Sequence, residues 1–437
     1  MFTLTLLSQL AWAQDRKIEF TEFELENGLH VILHEDHSAP IVLVSVLYHV
    51  GSKNENPDRT GFAHFFEHLL FEGTKNIPRG QFDKLITNAG GTNNAFTSFD
   101  QTYYYEILPS NQLELGLYLE SERMLHAVID SIGVETQRSV VKEERRQRYD
   151  NQPYGTMYLE TFERAFKVHP YRWMPIGSME HLNEASLEEF MKFYNTFYVP
   201  QNATLTIAGD INIEETRNLV KKYFADVPGA THEVPRPTAV EPPRVEEERG
   251  VVYDNVQLPL VLMAYHIPAQ GTPEHYAVEM LTTVLADGQS SRLYKSLVDN
   301  QQIAVTSGAF PVSTEDPGLF VAIAVANMGI EAETLERAME EEIERAKNEL
   351  ITEREYEKIR NQKENDFYSA NSSMAGIAQN LATYHVFYGD ASLINTEIDR
   401  YMAVTREDIQ KAAQKYLRKD SRIVLYYLPK SMQPVEN

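Results

Sequence analysis

The sequence predicts an α+β fold made of two homologous domains from an internal duplication, each a mainly antiparallel sheet covered by helices. Three observations carry this prediction. Short runs rich in β-branched and aromatic residues alternate with stretches of helical periodicity. A helix followed by an apolar strand occurs twice: Ser186 to Tyr198 leads to Ala203–Ala208, and Thr405 to Tyr416 leads to Ile423–Tyr427. Finally, Val261–Ile267 resembles Val44–Val50, and a helical stretch from His275 to Gly288 falls where the helix around His64 falls.

Taken in order, Phe23-Leu25, a turn at Asn27-Gly28 and Leu29-Val31-Leu33 read as a hairpin, because Asn-Gly suits the tight turns that join antiparallel strands. Ile41 to Tyr48 is a further strand. A short helix from Gln81 to Asn88 ends at Ala89-Gly90-Gly91. A second β pair follows, Asn93–Ser98 leading through Asp100 into Thr102–Ile107. Helical periodicity runs from Leu113 to Ala127 and from Gly133 to Tyr149. Ser186 with Glu189 three residues later forms a capping box that opens the next helix. Proline and charge dominate residues 231–250, which read as an extended linker. The expected organisation is an N-terminal segment 1–19, a first domain 20–230, the linker 231–250 and a second domain 251–437.

Composition narrows the function. The chain has 437 residues, 43% of them hydrophobic, enough for sizeable cores. Its 40 Lys and Arg against 64 Asp and Glu, a formal charge of −24, argue against nucleic acid and anionic membranes as partners. Basic or neutral partners fit better. With no cysteine, disulfides and Cys-ligated zinc are excluded, so a metal must use His and carboxylate ligands. No run approaches the roughly 18 apolar residues needed for a transmembrane segment. Phe2, Leu4, Leu6, Leu7 and Leu10 before Ala11-Trp12-Ala13 resemble the end of an export signal, although a basic leading region is missing. The expected location is the bacterial periplasm; the alternative is an apolar N-terminus packing on a cytoplasmic protein.

The chemistry concentrates in Thr60-Gly-Phe-Ala-His64-Phe-Phe-Glu67-His68-Leu-Leu-Phe-Glu-Gly73, where two histidines and a glutamate fall as H-x-x-E-H. At about 100° per residue, His64, Glu67, His68 and Phe71 share one stripe of a helix, so two imidazoles can meet one ion beside a carboxylate. The other faces carry Phe62, Phe65, Phe66, Leu69 and Leu70, the pattern of a buried helix. Burying imidazoles and a carboxylate is costly unless they are paired, and a metal pairs them. The alternative is a core helix whose histidines bond to backbone. The order inverts the commoner H-E-x-x-H motif and is that of the inverzincins.

A catalytic zinc usually takes three protein ligands. On the helix around Val140 the apolar stripe is Val134, Val140 and Val141; Glu144 projects within it and Glu143 off it. Gln137 lies two turns before Glu144 on the same stripe, placed to orient a ligand by a hydrogen bond. A surface helix with a glutamate on its inner edge is the alternative.

His64-Phe-Phe-Glu67-His68 together with Glu144 resembles the pitrilysin/insulinase family of zinc peptidases. The best match is its two-domain branch, typified by mitochondrial processing peptidase and bacterial relatives. Gly90-Gly91 with Asn94-Ala95, Asn151-Gln-Pro153-Tyr154, Tyr198–Asn202 to Gly209-Asp210, and Ser291-Arg292-Leu293 support the likeness over nearly the whole chain after residue 20. The resemblance implies a metalloendopeptidase with one Zn2+ per chain, held by His64, His68 and Glu144. It implies that Glu67 is the base, that unfolded peptide is hydrolysed inside a chamber of four such domains, and that Asn94-Ala95-Phe96-Thr97 is an edge strand along which substrate aligns. Gln137 departs from the family, in which a glutamate typically stands there. The competing reading is a catalytically silent structural or peptide-binding subunit; a small-molecule zinc hydrolase is a third.

If Gly73 and Gly288 are equivalent, the positions of His64, Glu67 and His68 become Glu279, Thr282 and Thr283, so only the first copy is equipped for zinc. The family also implies an Arg and, seven residues on, a Tyr in the second half of a complete enzyme, both contacting substrate. Here those positions are Val298 and Val305, unless Arg292 and Tyr294 substitute. The resemblance therefore implies a heterodimer with a zinc-less homologous chain carrying the Arg/Tyr pair, with a homodimer as the alternative.

Overall fold

The central strands of this chain are buried along nearly their whole length, and that property dictates the architecture: the middle of each sheet must be covered on both faces. In the computed structural model, which describes residues 17–434, two sheets form. The first holds β1 (Thr21–Glu24), β2 (His30–Glu35), β3 (Ile41–Tyr48), β4 (Thr92–Thr97), β5 (Thr102–Pro109) and β6 (Ala203–Gly209) in the order β1-β2-β6-β3-β5-β4. The second holds β7 (Glu248–Asp254), β8 (Leu260–His266), β9 (Ala304–Val312), β10 (Leu319–Ala326) and β11 (Ile423–Pro429) in the order β7-β11-β8-β10-β9.

Leaving out β1, the two orders are the same topology. In each, the first strand pairs in parallel with the last, and every other neighbour is antiparallel. The duplication is therefore a repeated strand path, with β1 added by the Asn27-Gly28 hairpin, where Gly28 takes φ 84°. The predicted capping box is closed on the helix Leu187–Phe197, and its counterpart in the second half, Arg406–Tyr416, carries one too, from Thr405 and Asp408. The segment predicted as linker has neither helix nor strand from 231 to 247, whereas Glu248–Gly250 already belong to β7. The export-signal reading falls almost wholly on residues 1–16, outside the described residues. Among the described residues no helix is long and apolar enough to cross a membrane.

Alternation along the strands sorts the two faces. Val42, Val44, Val46 and Tyr48 of β3 enter one core with the helices of the first half, while Leu43 and Leu47 point the other way. That other face, with Ile32 and Ala208, is covered by Ile377, Ala378, Leu381 and Ala382 of the helix Met374–Tyr388, which belongs to the second half. The reverse exchange also occurs. Leu260, Leu262, Ala264, Ile423 and Leu425 of the second sheet are covered by Phe162 and Ala165 of the helix Met157–Ala165 and by Phe166, from the first half. Each repeat thus lends one helix to the other's sheet, an arrangement the domain limits drawn from sequence do not contain.

Candidate metal centre

The helix Phe62–Leu69 begins at Gly61, whose φ of 98° is a left-handed conformation suited to glycine. Glycine has no capping side chain. Glu55, buried, does that work from six residues upstream by accepting from the N–H groups of Gly61 (2.8 Å) and Ala63 (2.9 Å), two of the donors a helix start leaves free. Phe62 and Phe65 stack on Phe190 at 4.5 and 4.6 Å between centroids, Phe66 stacks on Phe193 at 5.7 Å, and the Tyr104 hydroxyl donates to the Phe66 carbonyl at 2.9 Å. Each buried phenyl ring contributes about 2–3 kcal/mol, so the helix is fixed from behind by aromatic packing. Its opposite stripe is left for polar residues.

On that stripe His64 and His68 stand edge to face, 4.9 Å apart. Glu144, on the helix Ser131–Arg145, brings Oε2 to 3.5 Å from His64 Nε2 and 3.1 Å from His68 Nε2, while its Oε1 accepts from Arg148 at 2.8 Å. Donor atoms of the three residues lie within 4.8 Å of one another. Buried His64 Nδ1 and Glu144 Oε2 make no well-aligned hydrogen bond. Burial lowers the His64 pKa to about 4, which keeps the ring neutral with a lone pair to offer. For Glu144, burial acts to raise the pKa, but His68, His64 and Arg148 outweigh it and hold the carboxyl ionised. Two imidazoles and a carboxylate converging, with His64 Nδ1 and Glu144 Oε2 left unsatisfied, are a donor set that fits zinc.

Glu67 lies beside this trio. Its Oε2 accepts from the Thr97 hydroxyl at 2.7 Å; burial pushes its pKa upward and the Thr97 bond opposes that. Thr97 ends β4, which carries Asn94, Ala95 and Phe96 and lies at the edge of the sheet, so among the described residues one of its sides has no strand partner. Glu143, as the helical stripe predicts, points to solvent, beside Arg146 and Gln147.

Three local expectations need correction. Val140 is 44% exposed; the inward stripe is Val134, Gln137, Val141 and Glu144, at alternating spacings of three and four. The helix predicted to run to Tyr149 ends at Arg145 and continues as a wider turn, Arg146–Asp150, that places Arg148 over Glu144. Gln137 bonds to none of the three clustered residues: its amide nitrogen donates to Glu72 at 2.6 Å, and its Oε1 has no partner. Glu55 and Arg148 escaped the sequence reading. A Glu-Arg spacing of four was a usable signal for Arg148; a carboxylate six residues before a glycine-capped helix is not a local pattern.

In the second half, Val298 is partly buried against the core and Val305 is 47% exposed on β9. Arg292 is buried and paired with both oxygens of Glu355, at 2.8 and 3.0 Å.

Comparison with known proteins identifies the family of the chain. The model of the insulinase family (peptidase family M16) matches residues 30–169, and that of the peptidase M16 inactive domain matches residues 184–363. A zinc protease, PqqE, of Helicobacter pylori is 32% identical over 408 residues, covering 93% of this chain and 92% of its own length. A probable mitochondrial-processing peptidase subunit beta of Schizosaccharomyces pombe is 25% identical, covering 70% of this chain and 69% of its own. The crystal structure of a protease from Helicobacter pylori superposes with a TM-score of 0.90 at 32% identity, over 94% of this chain and all of that one. The chain belongs to the insulinase family of peptidases, in its two-domain form.

Proposed function

We propose that this chain is a zinc-dependent endopeptidase acting on extended peptides, with His64, His68 and Glu144 as ligands and Glu67 as general base. The observation that carries the reading is the convergence of His64, His68 and Glu144, with His64 Nδ1 and Glu144 Oε2 unsatisfied, beside the carboxylate of Glu67, which forms no ion pair among the described residues. When bound, zinc supplies Lewis acidity, acidifying a water and polarising the scissile carbonyl. Glu67 takes the proton from the attacking water and passes it to the leaving amine; its burial raises its proton affinity towards the range such a shuttle needs. Thr97 holds one Glu67 oxygen and leaves the other for the water. An extended peptide adds to the open side of β4 by backbone hydrogen bonds, which aligns successive peptide groups past Glu67.

Glu67→Gln should retain zinc and lose hydrolysis by about 10^2–10^4-fold. Undiminished turnover of that variant would sink the reading.

We also propose a heterodimer with a zinc-less homologue that supplies an Arg and a Tyr to the substrate. In support, valines stand at both positions here, and Glu355 engages Arg292, the substitute nearest in sequence. Adding such a homologue should raise peptidase activity; full activity of the purified chain alone would overturn the pairing.

A further inference from the structure

A second set of two histidines and a glutamate lies on the far face of the first sheet. Glu22 of β1 and His30 of β2 are diagonal neighbours in the hairpin, since Glu24 is paired with His30 and Glu22 with Ile32. Both face the helix Met374–Tyr388. On that helix Ile377, Ala378, Leu381 and Ala382 cover the sheet, and His385 continues the same stripe at the next turn. His30 Nε2 lies 3.2 Å from Glu22 Oε2, and the His30 and His385 rings are stacked 3.5 Å apart at 6°. One donor atom from each of Glu22, His30 and His385 lies within 4.8 Å of the other two.

We propose that Glu22, His30 and His385 form a second binding site for a divalent cation of the zinc class, which ties the N-terminal hairpin to the helix lent by the second half. The donor types are those of the first cluster, and each is placed by a separate element, so binding would hold together two parts of the chain that are distant in sequence. Parallel rings direct their lone pairs side by side, so coordination requires His385 to turn about its Cβ–Cγ bond, a torsion with a broad, shallow profile. Glu22, with a side chain 46% exposed, is free to follow. Three protein donors leave a position for water, so the site should be weaker than a closed four-ligand one.

The site does not depend on the proposed peptidase chemistry, and zinc stoichiometry after equilibrium dialysis separates the two. Wild type should bind two zinc ions per chain, His64→Ala/His68→Ala one, and that variant combined with His385→Gln none. Glu22→Gln, an exposed change that leaves packing intact, should weaken the second ion without displacing the first. In His64→Ala/His68→Ala, zinc should also raise Tm, and this rise should vanish with His385→Gln. One ion in wild type and none in His64→Ala/His68→Ala would overturn the second site while leaving the first. An ion that survives His385→Gln in the combined variant would overturn it as well.

Discussion

The two halves of this chain solve the same packing problem and differ in what fills the polar stripe of one helix. In the first half, Phe62–Leu69 turns His64, Glu67 and His68 towards Glu144, and the cluster is left with unsatisfied atoms. In the second, Pro273–Ala286 carries Glu279, Thr282 and Thr283. Here the stripe closes on itself: Glu279 accepts from Lys363 (3.3 Å), Tyr401 (2.7 Å) and Ser313 (3.1 Å), and both threonine hydroxyls bond to carbonyls of their own helix. Burial would raise the Glu279 pKa, but Lys363 and its other partners hold it below the usual range. A lysine from the neighbouring helix gives the buried carboxylate its cation, so nothing further is required. The fold therefore sets where a buried polar stripe lies, and three side chains decide whether it needs an ion.

This contrast can be broken at several points. Replacing Glu144 with Gln should remove zinc and lower peptidase activity by about 10^4-fold, whereas Glu143→Gln should change neither measurably; metal analysis of both variants checks it, and the opposite result would move the ligand to Glu143. Thr97→Val should cost about 10-fold in kcat with zinc content unchanged, and Thr97→Ser should restore it, because only the hydroxyl on Glu67 is at stake. In the closed half, Lys363→Met strands Glu279 and should destabilise the protein by about 2–3 kcal/mol in urea unfolding, with zinc content unaffected. The double variant Lys363→Met/Glu279→Leu should recover most of that. The smallest effect is expected from Gln137→Glu, which restores the family's residue but sets a carboxylate against Glu72. Stability should fall by about 1–2 kcal/mol with no gain in zinc affinity, as read from denaturation and competition with a chelator.

Much of this was legible in the residues. H-x-x-E-H announces one polar stripe on an apolar helix because both facts are local to that helix. Glu144 could be told from Glu143 by the same angular argument, even though Val140 was placed on the wrong side: Val134 and Val141 alone define the stripe. Duplication showed itself through two helix-strand units whose caps and strands are short-range patterns. What stayed hidden depends on contacts distant in sequence. The helices Met157–Ala165 and Met374–Tyr388 carry an apolar face, but nothing in an apolar face says which sheet it covers. Thr97 was read as part of a strand for substrate; that its hydroxyl reaches Glu67, 30 residues away, follows from how β4 packs on the Phe62–Leu69 helix. Gln137 could be assigned to the inward face and not to Glu72, since face does not specify partner.

The exchange of helices has a consequence for how the protein comes off the ribosome. Ile32, Leu43 and Leu47 are synthesised early, and the residues that shield them, Ile377 to Ala382, are made several hundred residues later, on the order of half a minute at ordinary translation rates. Throughout that interval the nascent first half presents a naked apolar sheet surface. Its completion is a long-range closure that must wait for the helix Met374–Tyr388, and pairings so distant in sequence form slowly and leave apolar strands open to aggregation in the meantime.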